Sequence, residues 1–268
     1  SAVLAAEGRY RQGQAMLRVV HLIPNDGHGG VESAARAMAA RTDLACDFRL
    51  LVACGPALEP GPRTLALGHR SPIGAARAIA EAIVAARPDV LICSLWRSIP
   101  AALLAKRRLP AMKLVVLLHA EQRVHLADSL LHRLAIRSAD AVWADSAASL
   151  QPYPHENRRV IPFLTHRLAP LAENFSSPRF VTWGRLGYQK NMASAIALID
   201  QLRARGVDAE LDHHGPDQGE LDRLLRQCRD LGLSSAVRFH GPFDRARLPQ
   251  IAAGAGFFLQ ASLFEGFS

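Results

Sequence analysis

Phe180-Val-Thr-Trp-Gly-Arg-Leu-Gly-Tyr-Gln-Lys-Asn191 is the stretch on which the reading of this chain turns. Phe180 to Trp183 form an apolar run that reads as a buried strand, and from Met192 onward apolar residues recur at helical spacing. Between them Gly184 and Gly187 let the backbone turn tightly. Arg185 and Lys190 are thereby left where a strand hands over to a helix, which in open parallel sheets is the edge at which ligands bind. An arginine offers a planar fork of donors and a lysine a compact charge, a pair better suited to two phosphates than to one carboxylate. On this stretch alone the two cations could equally be solvated loop charges.

Strand and helix alternate in both directions from here. Toward the C-terminus, Ala195, Leu198, Ile199 and Leu202 share a helix face, and Ala209 to His213 read as a strand. Leu221, Leu224, Leu225, Cys228 and Leu231 form the clearest helical stripe in the sequence, explained by core packing. Val237 to His240 and Gly256 to Gln260 are two further strands, with a helix around Arg245 to Ala253 between them. Toward the N-terminus, Gln151 to Ser177 contain four prolines and little periodicity beyond a short strand near Arg159 to Ile161. This is the best boundary in the chain, and it divides a first lobe, 1–170, from a second, 171–268.

The first lobe begins with the strand Leu17 to Pro24, the glycine-rich loop Asn25-Asp-Gly-His-Gly-Gly30, and a helix from Val31 to Arg41. Free amides at a helix start, approached closely past glycines, make an anion site, though a Gly-Gly after a strand is also plain turn chemistry. The loop is not a dinucleotide fingerprint. With Gly27 and Gly29 as the first two glycines of G-x-G-x-x-G, the third position holds Glu32, which weighs against a nicotinamide oxidoreductase. Phe48 to Cys54 is a strand, and Gly55 to Arg70 reads as a Pro/Gly-rich loop. Ser71-Pro72 reads as a helix start, with Ile73, Ala76, Ala80 and Ile83 on one face until Pro88. Val90 to Leu95, Lys113 to Leu118 and Asp140 to Asp145 are strands, with a short helix, Ala101 to Arg108, between the first two. His119 follows one of them and so shares the carboxyl edge with Gly29-Gly30. There it can donate to a ligand hydroxyl or simply bond backbone. The fold class is α/β, with parallel sheets wound on both faces.

The composition narrows the function. The chain has 268 residues, 49% of them hydrophobic, enough for two globular cores. No apolar run approaches the roughly 18 residues of a membrane span, and Ser1 to Met16 lack the apolar core of a signal peptide, so the expected location is cytoplasmic. The four cysteines form no CxxC pair and read as reduced core residues. The eleven histidines make no HExxH or similar spacing; His125 and His132 lie seven apart on an expected helix, and no metal site is expected. The net charge of +8 is concentrated in residues 1–175, where Lys and Arg number 21 against 14 Asp and Glu, while the remainder carries 11 against 10. A basic half could face nucleic acid, an anionic membrane or a phosphorylated substrate, or be a solvated face without a partner. With 6% aromatic residues and no interleaving of basic with aromatic residues, nucleic acid is the weakest of these.

In its second half the chain resembles the retaining glycosyltransferases of family four, enzymes of GT-B architecture with two Rossmann-like doubly wound lobes facing a cleft. The resemblance rests on GRL and KN at Gly184 to Asn191, HHG at His213 to Gly215, VRFHG at Val237 to Gly241 and SLFEGFS at Ser262 to Ser268. In the first half, Gly29-Gly30-Val31-Glu32 is similar to the family's GGxE loop, and His119 falls where the family has a histidine after a strand. The resemblance implies that Arg185 and Lys190 hold the diphosphate of a nucleotide-sugar donor, with Gly29 and the Gly30 amide approaching from the first lobe. It also implies that Glu265, followed by Gly266 and Phe267, contacts the donor sugar, and that His119 faces that sugar. Glu265 and His119 are the implied catalytic residues; none is a metal ligand in the family, and no cofactor is implied. The implied activity is metal-independent hexosyl transfer with retention, in cell-envelope, exopolysaccharide or lipopolysaccharide biosynthesis. A sugar or lipid-linked acceptor and, for the basic half, the inner face of the cytoplasmic membrane are the partners such an activity suggests. The sequence as given ends inside the family's paired-glutamate motif, so the second lobe is expected to be incomplete, with exposed apolar surface. A non-catalytic nucleotide-sugar-binding or scaffold relative is the alternative.

Overall fold

The computed structural model describes residues 16–27, 29–119, 126–161, 177–244 and 247–263. They fall into two compact units, 16–161 and 177–263. The expected boundary between 170 and 171 lies outside the described residues.

The first unit has strands β1 (Arg18–Asn25), β2 (Asp47–Cys54), β3 (Thr64–His69), β4 (Val90–Ser94), β5 (Lys113–Leu118), β6 (Ala141–Ala144) and β7 (Arg158–Val160). Its helices are α1 (Gly30–Ala40), α2 (Ala76–Ala86), α3 (Ile99–Arg108), α4 (Leu126–Ser138) and the single turn α5 (Ala147–Leu150). The strands form one parallel sheet in the order β3-β2-β1-β4-β5-β6-β7. Alternate side chains of β1 enter two separate cores: Val20 and Leu22 pack with Ile79 and Ile83 of α2 and with the alanines of α3, while Val19 and Ile23 pack with Ala35 and Ala39 of α1. Burial on both faces is why these strands are continuous apolar runs. The winding reverses between β1 and β4, so the crevice at the carboxyl ends of these two strands is where a doubly wound sheet takes its ligand.

The second unit repeats the plan with fewer strands: β8 (Arg179–Trp183), β9 (Glu210–His214), β10 (Val237–Phe239) and β11 (Phe257–Phe258), with α6 (Met192–Ala204), α7 (Leu221–Asp230) and α8 (Leu248–Ala253). These strands too are parallel, in the order β10-β9-β8-β11, so β8 stands where β1 stands in the first sheet and the winding reverses between β8 and β11. Leu211 and Val237 pack against Ala195, Ile196 and Ile199 of α6 and Leu224 and Cys228 of α7. Through the period-two alternation of a strand, the other face of β9 presents Glu210 and Asp212. The Asp212 carboxylate accepts from Arg238 at 2.8 and 3.0 Å, Arg179 at 3.2 Å and His240 at 2.6 Å. Burial opposes its ionisation, yet these donors hold its pKa well below the usual carboxylate range.

The structure corrects the sequence reading at several points. Residues 55–70 are not all loop, since β3 lies within them. As the edge of the sheet it pairs on one side and is half exposed, so it lacks an apolar run. The helix expected from Pro72 starts at Ala76; Ser71 instead closes a turn, its hydroxyl accepting from the Gly74 amide at 3.1 Å, and Ile73 is 47% exposed rather than on the core face. Of the stripe on α7, Leu224 and Cys228 are buried, whereas Leu225 and Leu231 are partly exposed. The strand expected over Gly256 to Gln260 shortens to two residues, where Phe257 stacks on Phe180 and Phe258 lies against Trp183. His125, Arg245 and Ala246 lie outside the described residues. The four cysteines are free, and burial pushes the Cys93 thiol up to about 12.

Candidate functional site

The loop after β8 lies at the switch point of the second sheet, and its shape follows from its glycines. Gly184 has φ +126° and Gly215, after β9, has φ +156°. A Cβ on Gly215 would overlap the Gly184 carbonyl, so the two backbones approach as closely as they do because Gly215 carries no side chain. The Lys190 side chain lies across Gly184, its Cε 2.9 Å and Nζ 3.4 Å from where a Cβ would be. Leu186, 2% exposed, anchors the loop from below. Arg185 is exposed. Asn191 takes the left-handed conformation, φ +49°, and leads into α6, whose amino end therefore opens at the same edge as Lys190.

Neighbouring loops are stitched to this one by backbone hydrogen bonds. The Gly184 amide donates to His214 O at 2.9 Å and the Leu186 amide to Pro216 O at 2.8 Å. Gly215 donates to Gly241 O at 2.8 Å, and Leu263 to Gln189 O at 2.9 Å. Asn191 Nδ2 reaches Ala261 O at 3.2 Å. Asp217 Oδ1 accepts the amides of Gly219, Glu220 and Leu221 at 2.9, 3.0 and 3.1 Å and so caps α7. Beneath the loop, His213 is 1% exposed and neither ring nitrogen has a hydrogen-bond partner. Burial first, then His214, Lys190 and His240, push its pKa down to about 4.

In the first unit, Gly29 and Gly30 sit at the start of α1. A Cβ on Gly29 would collide with the Glu32 carboxylate, which folds back over the helix start, while Gly30 faces open space. Arg36 pins the loop: its guanidinium is ion-paired with the fully buried Asp26 carboxylate and donates to Gly27 O at 2.9 Å, and Asp26 in turn accepts the Leu58 amide at 2.8 Å.

His119, just past β5, is joined to a line of polar side chains along the same sheet edge. His21 Nε2 lies 2.8 Å from Ser94 Oγ, and that oxygen lies 3.0 Å from His119 Nε2. On the other side, His119 Nδ1 is 3.6 Å from Asp145 Oδ2, and Ser149 Oγ donates to Asp145 Oδ1 at 3.1 Å. Burial, and secondarily the nearby His119, push the His21 pKa down to about 3. The sequence singled out His119 but neither Ser94 nor Asp145; the available signal was that each is the first polar residue after an apolar run.

The expected site residues are therefore distributed as follows. Gly29, Gly30 and His119 share the carboxyl edge of the first sheet, and Arg185 and Lys190 share one loop at the carboxyl edge of the second. Glu265, Gly266 and Phe267 lie outside the described residues. Among the described residues no group of three His, Cys, Asp or Glu side chains is placed to hold a metal ion.

Residues 169–268 match the family model described as glycosyl transferases group 1. A comparison with curated proteins returns no match. Among solved structures, the lipopolysaccharide outer core galactosyltransferase WaaB, in its apo form, aligns with 93% of this chain and 75% of its own, at TM-score 0.62 and 14% identity. HepE from Anabaena, in complex with UDP and glucose, aligns with 92% of this chain and 74% of its own, at TM-score 0.66 and 17% identity. Sucrose-phosphate synthase from Thermosynechococcus elongatus aligns with 94% and 77%, at TM-score 0.67 and 15% identity. At these identities the likeness is one of fold: the chain has the α/β fold of GT-B glycosyltransferases, with Rossmann-like units.

Proposed function

We propose that this protein transfers a hexose from a nucleoside-diphosphate sugar to an acceptor hydroxyl with retention of configuration. The observation that carries the reading is the loop from Gly184 to Asn191, which sets Arg185 and Lys190 at the switch-point edge of a sheet whose sequence matches the group 1 glycosyl transferase model. Breaking an anomeric bond leaves an oxocarbenium-like sugar and a negative diphosphate, and fixed cations aimed at the phosphates lower that barrier. Arg185, Lys190 and the amino end of α6 supply positive potential there, which is the role a divalent metal would otherwise fill. Gly30 is assigned to the donor phosphates as well, His119, Glu265, Gly266 and Phe267 to the donor sugar, and the acceptor hydroxyl attacks on the leaving-group face. WaaB is a lipopolysaccharide outer core galactosyltransferase, and the HepE structure is a complex with UDP and glucose; a UDP-sugar donor and an envelope or exported glycan are the corresponding assignments here.

Calorimetric titration of UDP, of UDP-glucose and of NAD tests the reading, with turnover followed as UDP release in the presence and absence of a chelator. UDP compounds should bind and NAD should not, with turnover unaffected by the chelator. Arg185→Ala and Lys190→Ala should each weaken UDP binding about tenfold or more, the loss of one charge-assisted contact of roughly 1.5 to 3 kcal/mol. Unchanged affinity in both variants sinks the phosphate assignment. Binding without turnover favours the non-catalytic alternative.

The basic first unit is assigned to an anionic bilayer. On α4, Leu126, Leu130 and Leu134 are 92%, 61% and 42% exposed, and the exposed Arg133 and Arg137 fall on the same face at helical spacing. Apolar residues interleaved with arginines suit the headgroup boundary of anionic lipid, and among the described residues no helix is long and apolar enough to cross it. Sedimentation with phosphatidylglycerol vesicles should show salt-sensitive binding that Leu130→Glu abolishes. Equal binding to neutral phosphatidylcholine vesicles counts against the assignment.

A further inference from the structure

The polar line at the edge of the first sheet has a direction that its chemistry fixes. Period-two alternation puts His21 of β1, Ser94 of β4, His119 and Asp145 on one face, the face covered by α1. The register that pairs Leu118 with Ala144 sets His119 opposite Asp145. A serine hydroxyl has one proton, so Ser94 can donate to one of its two imidazole neighbours and must accept from the other. The Asp145 carboxylate stands at ion-pair range from Nδ1 of His119 and favours a proton on that nitrogen. Nε2 of His119 then presents its lone pair, Ser94 donates to it, and Ser94 accepts from the Nε2–H of His21. Asp145 is itself held by the Ser149 hydroxyl.

We propose that Asp145 and Ser94 are positioning residues that fix the tautomer and ring orientation of His119, and that the tautomer of His21 is coupled to it through the Ser94 hydroxyl. His21 is a neutral end to this line, since burial makes its cationic form unfavourable through the neutral pH range. On the transferase reading, on which this last step rests, His119 meets the donor sugar with one defined charge distribution; a carboxamide in place of Asp145 would present the opposite tautomer in nearly unchanged geometry.

Nitrogen-15 spectra of the histidine rings in the full chain test the coupling without any activity assay. In the unaltered protein His119 should carry its proton on Nδ1 and His21 on Nε2. In Asp145→Asn the new amide donates to Nδ1 of His119, its proton moves to Nε2, Ser94 turns round, and His21 moves to Nδ1–H, so the two rings invert together. In Ser94→Ala His119 keeps Nδ1–H, and adding Asp145→Asn inverts His119 alone. Ser94→Ala remains informative should Asp145→Asn fail to fold, because a His119 proton on Nε2 in either the unaltered protein or Ser94→Ala overturns the proposal. So does an Asp145→Asn variant whose tautomers stay put. For the reaction, Asp145→Asn should lower the turnover of UDP-glucose roughly tenfold or more while leaving UDP affinity unchanged. Inverted tautomers with undiminished turnover overturn the positioning role. If the unaltered protein turns over no UDP-sugar at all, the transferase reading fails, while coupled inversion still supports the line from His21 to Asp145.

Discussion

The two sheets share a strand order but differ in what covers them. In the first unit both faces of β1, β4 and β5 are buried under apolar layers. In the second, the described residues gather one apolar cluster, under α6 and α7, and the opposite face of β9 carries Glu210 and Asp212 among Arg179, Arg238 and His240. The same winding can thus be held by two different forces. Hydrophobic burial in the first sheet is not weakened by charge screening, whereas a partly exposed charge ladder in the second is.

The largest expected contrast comes from removing one side chain from each sheet. Leu22→Ala empties a fully buried position between β1 and the helices, and should cost about 2 to 5 kcal/mol of the first unit's stability, a loss that added sodium chloride does not reduce. Arg238→Ala removes the main partner of Asp212 but leaves Arg179 and His240 beside it. With Arg238 36% exposed, its loss should cost about 1 to 2 kcal/mol, diminishing as salt rises. Thermal unfolding followed separately for each unit, at low and high salt, measures both. A salt-independent loss in Arg238→Ala would erase the distinction.

Acidification should strain both units through a buried neutral histidine. An unfolded histidine takes a proton near 6.5, whereas His21 and His213 do so only near 3 and 4 in the fold. Between those values the unfolded chain binds more protons, so stability is complete above pH 6.5 and falls as pH drops. Each histidine should contribute a slope of up to about 1.4 kcal/mol per pH unit. Unfolding midpoints measured from pH 7 to pH 4 check the sign. The smallest expected effect is His213→Leu, which should flatten the second unit's slope with a stability change at pH 7 within about 1 kcal/mol, because the ring it removes makes no well-formed hydrogen bond and at most a weak one to the Gly184 backbone. A large loss at pH 7 would show that His213 is held by more than its burial.

What could be read from the sequence follows from the same contrast. β1, β4, β5 and β6 are legible because strands buried on both faces become unbroken apolar runs, and the loop around Arg185 and Lys190 is legible because Gly184 and Gly187 punctuate it. β3 is not, because an edge strand needs to satisfy only one neighbour and Leu65 and Ala66 can face solvent. His119 stood out by its place after a strand, but its link to Ser94 and Asp145 depends on register between strands far apart in the chain, which no local pattern encodes.

The hydrogen bonds that join Gly184 to His214, Leu186 to Pro216, Gly215 to Gly241 and Gln189 to Leu263 also bear on thermodynamics. Loops tied together in this way have already lost their conformational entropy when the unit folds. An anion arriving beside Lys190 need not order them again, so more of the energy of each new contact emerges as affinity.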